Sequence, residues 1–185
     1  MSRIVLGVTG ASGSIYAERT AWHLKNLGHE VHLVVTEAGA QVVKHERAEL
    51  LYSYAGKQYG IRDFFSEIAS GSSGFSGMAV VPCSMGTLGK IAGGVSDNLL
   101  VRAADVCLKE NRPLVIVPRE MPCHRIHLEN MLRLAEARAC ILPASPHFYH
   151  HPQTIPDLVD TVVAKILTHL GIENSIVPRW SAGEL

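Results

Sequence analysis

The chain of 185 residues lacks several features that would assign it to a protein class at once. It has no excess of charge, because 17 Lys and Arg residues balance 17 Asp and Glu residues. This balance gives no reason to expect a surface for nucleic acid or for anionic membranes. No apolar run is long enough to span a bilayer, so we expect no membrane segment. The start MSRIVLGVTG passes directly into a strand-like run and does not resemble a signal peptide, so we expect a cytoplasmic protein.

Cysteine is scarce and is not spaced for metal binding. There are four cysteines, none in a CxxC pair, at positions 83, 107, 123 and 140. We interpret them as reduced packing residues. Cys83 follows a strand-like run and could be a nucleophile, but no histidine stands obviously beside it. Three histidines do lie within five residues, at 147, 150 and 151, but their spacing does not resemble a zinc site. The sequence therefore predicts no metal.

The composition is that of a globular protein, with 47% apolar and 18% charged residues. The length fits one domain over residues 1–185, with a core of useful size. Strand-like and helix-like segments alternate and no segment repeats, which predicts a doubly wound α/β fold with a mostly parallel sheet, Rossmann-like or flavodoxin-like. Near-neutral net charge favours self-association.

The segment from Met78 to Glu120 is the most informative stretch. It contains two short apolar runs, MAVVP and LVIVP, which lack alternation and therefore predict strands buried on both faces of a parallel sheet. Each run ends at a proline, which suits the end of a strand. Ligands of open α/β sheets bind outside the carboxyl ends of the strands. The polar residues after the two runs, CSMGT and RE, are thus expected at a ligand site.

The helix between these strands leaves two interpretations open. DNLLVRAADVCLKE has helical periodicity, with Ser96 or Asp97 as the expected N-cap. Arg102, Asp105 and Lys109 lie opposite its apolar side. They form either an ordinary solvated face or an anion site.

Other segments of the chain also allow both a structural and a functional interpretation. GVTGASGS turns a first strand into a helix over 14–27, and its amides either face a phosphate or form a simple tight turn. This segment is not GxGxxG, which weakens a dinucleotide site. Residues 48–76 form an irregular segment that acts as a lid or as a plain loop. Lys165 lies at the edge of the apolar stripe of the last helix, where it either covers apolar surface or binds a phosphate.

Five separated segments resemble the flavin prenyltransferase family, called UbiX or Pad1, in the same order and at compatible spacing. They are GVTGASGSIYA, PCSMGTLGKIAGG, NLLVRAADVCLKENRPLVIVPREMP, IHLENMLRLAE and ILPASPHFYHHPQT. The resemblance covers nearly the whole chain and is weakest over 48–76 and at the carboxyl end. It implies binding of flavin mononucleotide (FMN) by residues 10–12, by Thr36 where the family usually has serine, and by Ser84, Met85, Gly86, Thr87 and Arg102.

The resemblance also implies a reaction. A dimethylallyl phosphate loses its phosphate, and reduced FMN takes up the allylic group and closes a fourth ring. The prenylated FMN then serves decarboxylases of the UbiD type. The family forms homo-oligomers, commonly dodecamers, and residues 172–185 would be an extension available to pack on another subunit. The choice between a monophosphate and a pyrophosphate donor stays open.

The resemblance carries residue roles onto this chain. The expected ligands of the donor phosphate are Lys109, Arg119, Glu120, Tyr149 and Lys165. The expected catalytic residues are Ser12, Phe64, Lys109, Arg119 and Glu120. Gly10, Ala11 and Ser12 would cradle the flavin, with Ser12 close to the reacting ring and Glu120 as its proton relay. Phe64 would flank the prenyl group, although Phe65 could take its place and core packing is a rival role.

Two other functions stay open. Flavin-dependent cysteine decarboxylases have a similar fold and use a catalytic histidine after the first helix. Here His45 is the nearby histidine, but its context does not match. A flavin carrier or accessory subunit of a decarboxylase would need the flavin cradle without the phosphate-binding residues, all of which are present in this sequence.

Overall fold

Six parallel strands form one sheet in the computed structural model, which describes residues 1–178. The strands are β1 (Arg3–Val8), β2 (Glu30–Val35), β3 (Lys57–Tyr59), β4 (Gly77–Cys83), β5 (Leu114–Pro118) and β6 (Cys140–Ile141). Their order across the sheet is β3-β2-β1-β4-β5-β6. The strand order therefore reverses between β1 and β4, which is where ligands bind in doubly wound folds. The predicted fold class is confirmed.

Helices cover both faces of this sheet. They are α1 (Ser14–Asn26), α2 (Glu37–His45), α3 (Leu50–Tyr54), α4 (Met85–Ala92), α5 (Leu99–Lys109), α6 (Arg125–Glu136) and α7 (Ile155–His169). Helices α1 and α7 pack against each other and supply the apolar core of one face. Helices α4 and α5 supply the core of the other face.

The central strands explain why the apolar runs show no alternation. Along β1, Ile4 and Leu6 join the core beneath α1 and α7, whereas Val5 joins the core beneath α5. All three side chains are fully buried. Burying such a side chain contributes about 1.5–3 kcal/mol, so both faces of a strand favour apolar residues.

Side chains cap the starts of several helices, and one of these N-caps is not the residue expected from the sequence. The N-cap of α5 is Asn98, whose Oδ1 accepts the Val101 amide at 3.1 Å, and not Ser96 or Asp97. Asp97 cannot serve because its carboxylate pairs with Lys90 Nζ at 2.6 Å. At the start of α7, the Thr154 and Asp157 side chains each accept a hydrogen bond from the other residue's amide.

The segment predicted to be irregular, residues 48–76, contains α3, β3 and a short 3₁₀ turn over Glu67–Ala69. A polar network joins it to the sheet. The Tyr59 hydroxyl donates to Glu67 at 2.8 Å and lies 2.7 Å from Nδ1 of His32, which is buried in β2. Lys57 Nζ donates to the same Glu67 carboxylate at 2.6 Å. These contacts anchor the segment against the edge of the sheet.

The carboxyl end packs on its own chain as far as it is described. Ile172 is buried in the core beneath α7, and Ile176 packs against the same core. Asn174 Nδ2 donates to the Ala164 carbonyl of α7 at 3.3 Å. The remainder of the predicted extension, residues 179–185, lies outside the described residues. Among residues 1–178, no helix has both the length and the apolar character needed to span a bilayer.

Candidate functional site

Thr9, at the end of β1, joins the two strands that flank the reversal of strand order. Its buried hydroxyl donates to the Pro82 carbonyl at 2.8 Å and accepts the Ser84 amide at 2.7 Å. These bonds hold the loop after β1 beside the loop after β4. Sequence reasoning did not select Thr9, because its partners are more than 70 positions away along the chain.

A cavity of about 570 Å³ opens at this place. Its lining includes five predicted flavin-binding residues, namely Gly10, Thr36, Ser84, Gly86 and Thr87. It also includes residues that sequence reasoning missed, namely Glu37, Ala38, Ile61, Arg62, Lys90, Asp97 and Asn98. Cofactor sites occupy roughly 300–1,000 Å³, so the cavity is of suitable size for a mononucleotide.

Three helices begin at this cavity, each capped by a residue of its lining. Thr36 caps α2 by accepting the Gly39 amide at 3.0 Å. Ser84 caps α4, with the Thr87 amide at 3.4 Å, and Asn98 caps α5. Amides and dipoles at helix starts favour anions, so the cavity suits a phosphate-bearing ligand.

The start of α1 differs from the prediction, because a carboxylate of the chain itself occupies it. Glu46, which follows α2, accepts the Gly13 amide at 3.0 Å and the Ser14 amide at 2.7 Å. The Ser12 hydroxyl also donates to this carboxylate. Partial burial raises the pKa of Glu46, but these hydrogen bonds outweigh burial and the net pKa is lowered. Within the segment predicted to face a phosphate, the Gly13 and Ser14 amides therefore face Glu46 instead.

The backbone at Gly10 lies unusually close to α2. A Cβ atom at this position would stand 2.8 Å from the Cβ of Ala38, nearer than packed carbon atoms approach. Gly10 therefore lets the loop after β1 lie against the first turn of α2 at the cavity wall. Next to it, Ala11 is buried and Ser12 is exposed.

Arg119 and Glu120 follow β5 at the same edge of the sheet. The Arg119 amide donates to the Cys83 carbonyl at 3.2 Å, and the Glu120 carboxylate accepts the Met121 amide at 3.0 Å. Burial raises the pKa of Tyr16, and the nearby Arg119 charge opposes this rise. Within residues 1–178, Arg119 and Glu120 form no ion pair with each other.

Tyr149 and Lys165, both predicted to bind the donor phosphate, line a second cavity of about 430 Å³. Tyr149 lies in the loop after β6, and Lys165 lies on α7. His147 and Thr161 line the same cavity. The structure thus brings these two predicted residues together, although 16 positions separate them.

Two predicted cations lie apart from both cavities in this chain. Lys109 ends α5 beside Gly71 and pairs with Glu110, five residues before β5 begins. Because α5 starts at the flavin-sized cavity and rises 1.5 Å per residue, Lys109 lies about 15 Å away along the helix. Arg102 donates through Nε to the Ala69 carbonyl at 3.0 Å and pairs with Asp105.

Three further predicted residues differ in exposure. Phe64 is 42% exposed and Phe65 is fully exposed, so neither packs in the core of this chain. Met85 is 6% exposed and belongs to the core beneath α4, so only the neighbours of Met85 face the cavity.

The remaining candidates for other chemistry are poorly placed. Cys83 is fully buried, and burial raises the pKa of its thiol, which disfavours the reactive thiolate. His45 is exposed at the end of α2. Over residues 1–178, the His, Cys, Asp and Glu side chains form no group of three suited to holding a metal ion.

Comparison with known proteins assigns the family. The Flavoprotein family model matches residues 1–167. The chain is 47% identical to the flavin prenyltransferase UbiX of Alkalihalophilus pseudofirmus, over 96% of this chain and 95% of the relative. It is 45% identical to the UbiX of Pseudomonas aeruginosa, over 99% and 96% of the two chains. The chain belongs to the UbiX family of flavin prenyltransferases. This confirms the resemblance found in the sequence.

Solved structures of UbiX proteins agree with this assignment. AnUbiX (PadA1), crystallised with FMN and dimethylallyl pyrophosphate, superimposes with a TM-score of 0.95 at 38% identity over 99% of both chains. A dodecameric FMN-dependent UbiX-like decarboxylase of Escherichia coli O157:H7 gives 0.92 at 39% identity, over 97% and 100% of the two chains. The peptidyl-cysteine decarboxylase EpiD gives 0.64 at 20% identity over 92% of this chain and 99% of EpiD, a likeness of fold alone.

Proposed function

We propose that this chain transfers a dimethylallyl group from dimethylallyl phosphate to reduced FMN, giving prenylated FMN. The observation that carries this proposal is that one chain has two cavities, each lined by groups that suit one of the two substrates. One is of mononucleotide size and has three helix starts in its wall. The other holds a phenol and an ammonium group suited to a phosphate. Flavin bound in the first cavity supplies the ring atoms that receive the allylic group.

The flavin phosphate is held by the amides at the starts of α2 and α4, because the amides at the start of α1 already donate to Glu46. Arg62 supplies its counter-charge. Lys90 lines the same cavity but already pairs with Asp97 at 2.6 Å. Arg62 forms none of the ion pairs found within residues 1–178, so its charge has no carboxylate partner in the part of the chain that the structure describes.

Lys165 and Tyr149 bind the donor phosphate, and Arg119 assists from the end of β5. The phosphate gains negative charge as the allylic C–O bond breaks. Charge-assisted hydrogen bonds therefore strengthen along the reaction and lower its barrier. Phe64, partly exposed in one chain, offers an aromatic face to the prenyl group.

Proton transfer during ring closure passes through Ser12 to Glu46. The Ser12 hydroxyl donates to the Glu46 carboxylate, and the lowered pKa of Glu46 keeps it ionised at neutral pH. Ser12 can therefore accept a proton from the substrate while passing its own to the carboxylate. Glu120, the relay that the resemblance implies, accepts the Met121 amide at 3.0 Å and is the second candidate for this proton transfer.

A homo-oligomer completes the site. Lys109 and Arg102 line neither cavity of their own chain, and in this proposal they act in the site of a neighbouring subunit. Large apolar side chains project from α6, where Ile126, Leu128 and Leu132 are each more than half exposed. One structural relative is dodecameric by its description, which supports the same assembly here. The prenylated product passes to a UbiD-type decarboxylase in the cytoplasm.

The test is anaerobic incubation with chemically reduced FMN and dimethylallyl phosphate, followed by mass spectrometry of the extracted flavin. We expect the flavin to gain one five-carbon unit as phosphate is released. Tyr149→Phe serves as a matched variant and should retain flavin binding while forming product more slowly. Tightly bound flavin recovered without any added mass would refute the proposal and favour a carrier.

Mixing experiments test the shared site. Lys109→Ala and Tyr149→Phe chains should each be slow as pure oligomers. Dissociated and reassembled together, they should regain activity, because about a quarter of random contacts between two chains pair an intact Lys109 with an intact Tyr149. If activity after mixing equals the average of the two pure variants, Lys109 does not act across a subunit contact.

A further inference from the structure

Three aromatic rings form a cluster at the donor cavity, the cavity of about 430 Å³ that Tyr149 and Lys165 line, and two of them, His147 and Tyr149, stand in its wall. His147 and Tyr149 stack with ring centroids 4.1 Å apart and planes inclined by 5°. His150 meets both rings edge-on, at 4.9 Å from His147 and 5.9 Å from Tyr149. This cluster (His147, Tyr149 and His150) fixes the orientation of the Tyr149 phenol, which is one of the proposed phosphate ligands.

Within the cluster, His147 is held at both its backbone and its ring. Its amide lies 3.4 Å from the Thr161 hydroxyl of α7, and its Nε2 lies 3.4 Å from the Tyr149 hydroxyl. Its other ring nitrogen, Nδ1, is buried and has no hydrogen-bond partner within the described residues. A proton on Nδ1 therefore has no protein acceptor, which disfavours the charged ring while no ligand is bound.

The positive charges near His147 also disfavour its protonation. Tyr149 and His150 face it from its own loop, Lys165 faces it from α7, and Glu173 lines the cavity beyond α7. Burial lowers the pKa of His147, and the charges of His150 and Lys165 lower it further. Glu173 is the one acidic residue in the lining of this cavity, as far as residues 1–178 show.

We propose that His147 is a third ligand of the donor phosphate, neutral without the donor and protonated when the phosphate lies beside Lys165. This inference rests on the proposed function. The phosphate brings up to two negative charges and acceptor oxygens next to the ring. His147 then takes one proton from solvent and donates an N–H to a phosphate oxygen. The one covalent change is the new N–H bond on the ring, whose proton comes from solvent.

Donor affinity should depend on pH, because binding changes the protonation of His147. The donor raises the pKa of His147 above its value in the free protein, so the bound state holds more protons between the two pKa values. Donor affinity therefore falls as pH rises through the pKa of the bound state, by at most about tenfold per pH unit for one group. Above this range His147 is neutral in both states and contributes no further change.

Calorimetry can count this proton. The whole protein is loaded with oxidised FMN, which allows donor binding without turnover, and titrated with dimethylallyl phosphate at pH 7.5. Two buffers of different ionisation heat give the number of protons taken up. The titration of the donor's own phosphate is common to all proteins compared and cancels between them.

The variants are His147→Asn and His147→Gln, with His151→Asn in the same loop as the matched control. We expect wild type and the control to take up more protons than either His147 variant, by up to one per site. Over one pH unit, wild-type affinity should also change more steeply, by up to about tenfold. Equal uptake by wild type and both His147 variants would overturn the inference, while anaerobic prenylation would still support the proposed function. No binding by any of these proteins, together with unmodified flavin, would overturn both.

Discussion

Glu46→Gln is the substitution that tests most directly how the site is built. The carboxylate accepts hydrogen bonds from the Gly13 and Ser14 amides and from the Ser12 hydroxyl, at the positive end of α1. Glutamine keeps one acceptor oxygen but turns an NH₂ group toward these donors. It also removes the charge that complements the helix dipole.

These contacts set the size of the stability loss expected for Glu46→Gln. A hydrogen bond to a charged group contributes about 1.5–3 kcal/mol, and a charge at a helix start about 0.3–1 kcal/mol. Because glutamine keeps some of these hydrogen bonds, we expect the free energy of unfolding to fall by about 2 kcal/mol. For a chain of this size that corresponds to a fall in Tm of about 6 °C. The control is Glu129→Gln, which breaks an exposed pair with Arg125 on α6 and should lose less than about 0.5 kcal/mol.

The pH dependence gives an independent check. The folded-state pKa of Glu46 is lower than its unfolded value, so the unfolded chain binds more protons between the two. The stabilisation is therefore complete above about pH 5 and is lost as pH falls through the folded-state pKa. Thermal unfolding of the FMN-free protein, at matched concentration from pH 7 down to about pH 3, measures this loss of stability. If Glu46→Gln is no less stable than Glu129→Gln at pH 7, the carboxylate does not anchor α1.

Two further substitutions test the frame around the site. Asp160→Asn on α7 removes the buried partner of Arg19 on α1 and should lower the free energy of unfolding, measured with urea, by about 3 kcal/mol. The exposed cap variant Asp157→Asn should lower it much less. Equal losses in these two variants would show that the α1–α7 pair is unimportant. Gly10→Ala places a Cβ against Ala38 and should weaken FMN binding about tenfold or more in a fluorescence titration; unchanged affinity would show that α2 can move aside.

The sheet was predictable because its signal is local. Strands buried on both faces need continuous apolar runs, and the polar residues that end them necessarily meet at one edge. Ser84 was therefore expected at this edge from the strand before it, and Thr36 from the family resemblance, and both line the cavity. Strand β3 was missed, because its three residues, KQY, are mostly exposed and are held by polar contacts with Glu67.

Glu46 could not be found in the same way. It acts on amides 32 and 33 positions earlier, and no local pattern links a helix end to the start of another helix. The position of Lys109 was, by contrast, open to deduction. A helix that leaves the ligand edge of a parallel sheet must run back to the opposite edge before the next strand, so its last residue lies far from its own site.

The fold and the loops supply different parts of the site, and for this reason the architecture alone does not identify the reaction. The cavity with three helix starts arises from the strand order, and EpiD shares that architecture as a likeness of fold alone. Residues proposed to expel phosphate lie outside this frame: Arg119 follows β5, Tyr149 follows β6 and Lys165 lies on α7. We therefore expect flavin binding to depend mainly on the strand ends and helix starts, and the expulsion of phosphate to depend mainly on later segments of the chain. Changes there should alter the chemistry while leaving flavin binding intact.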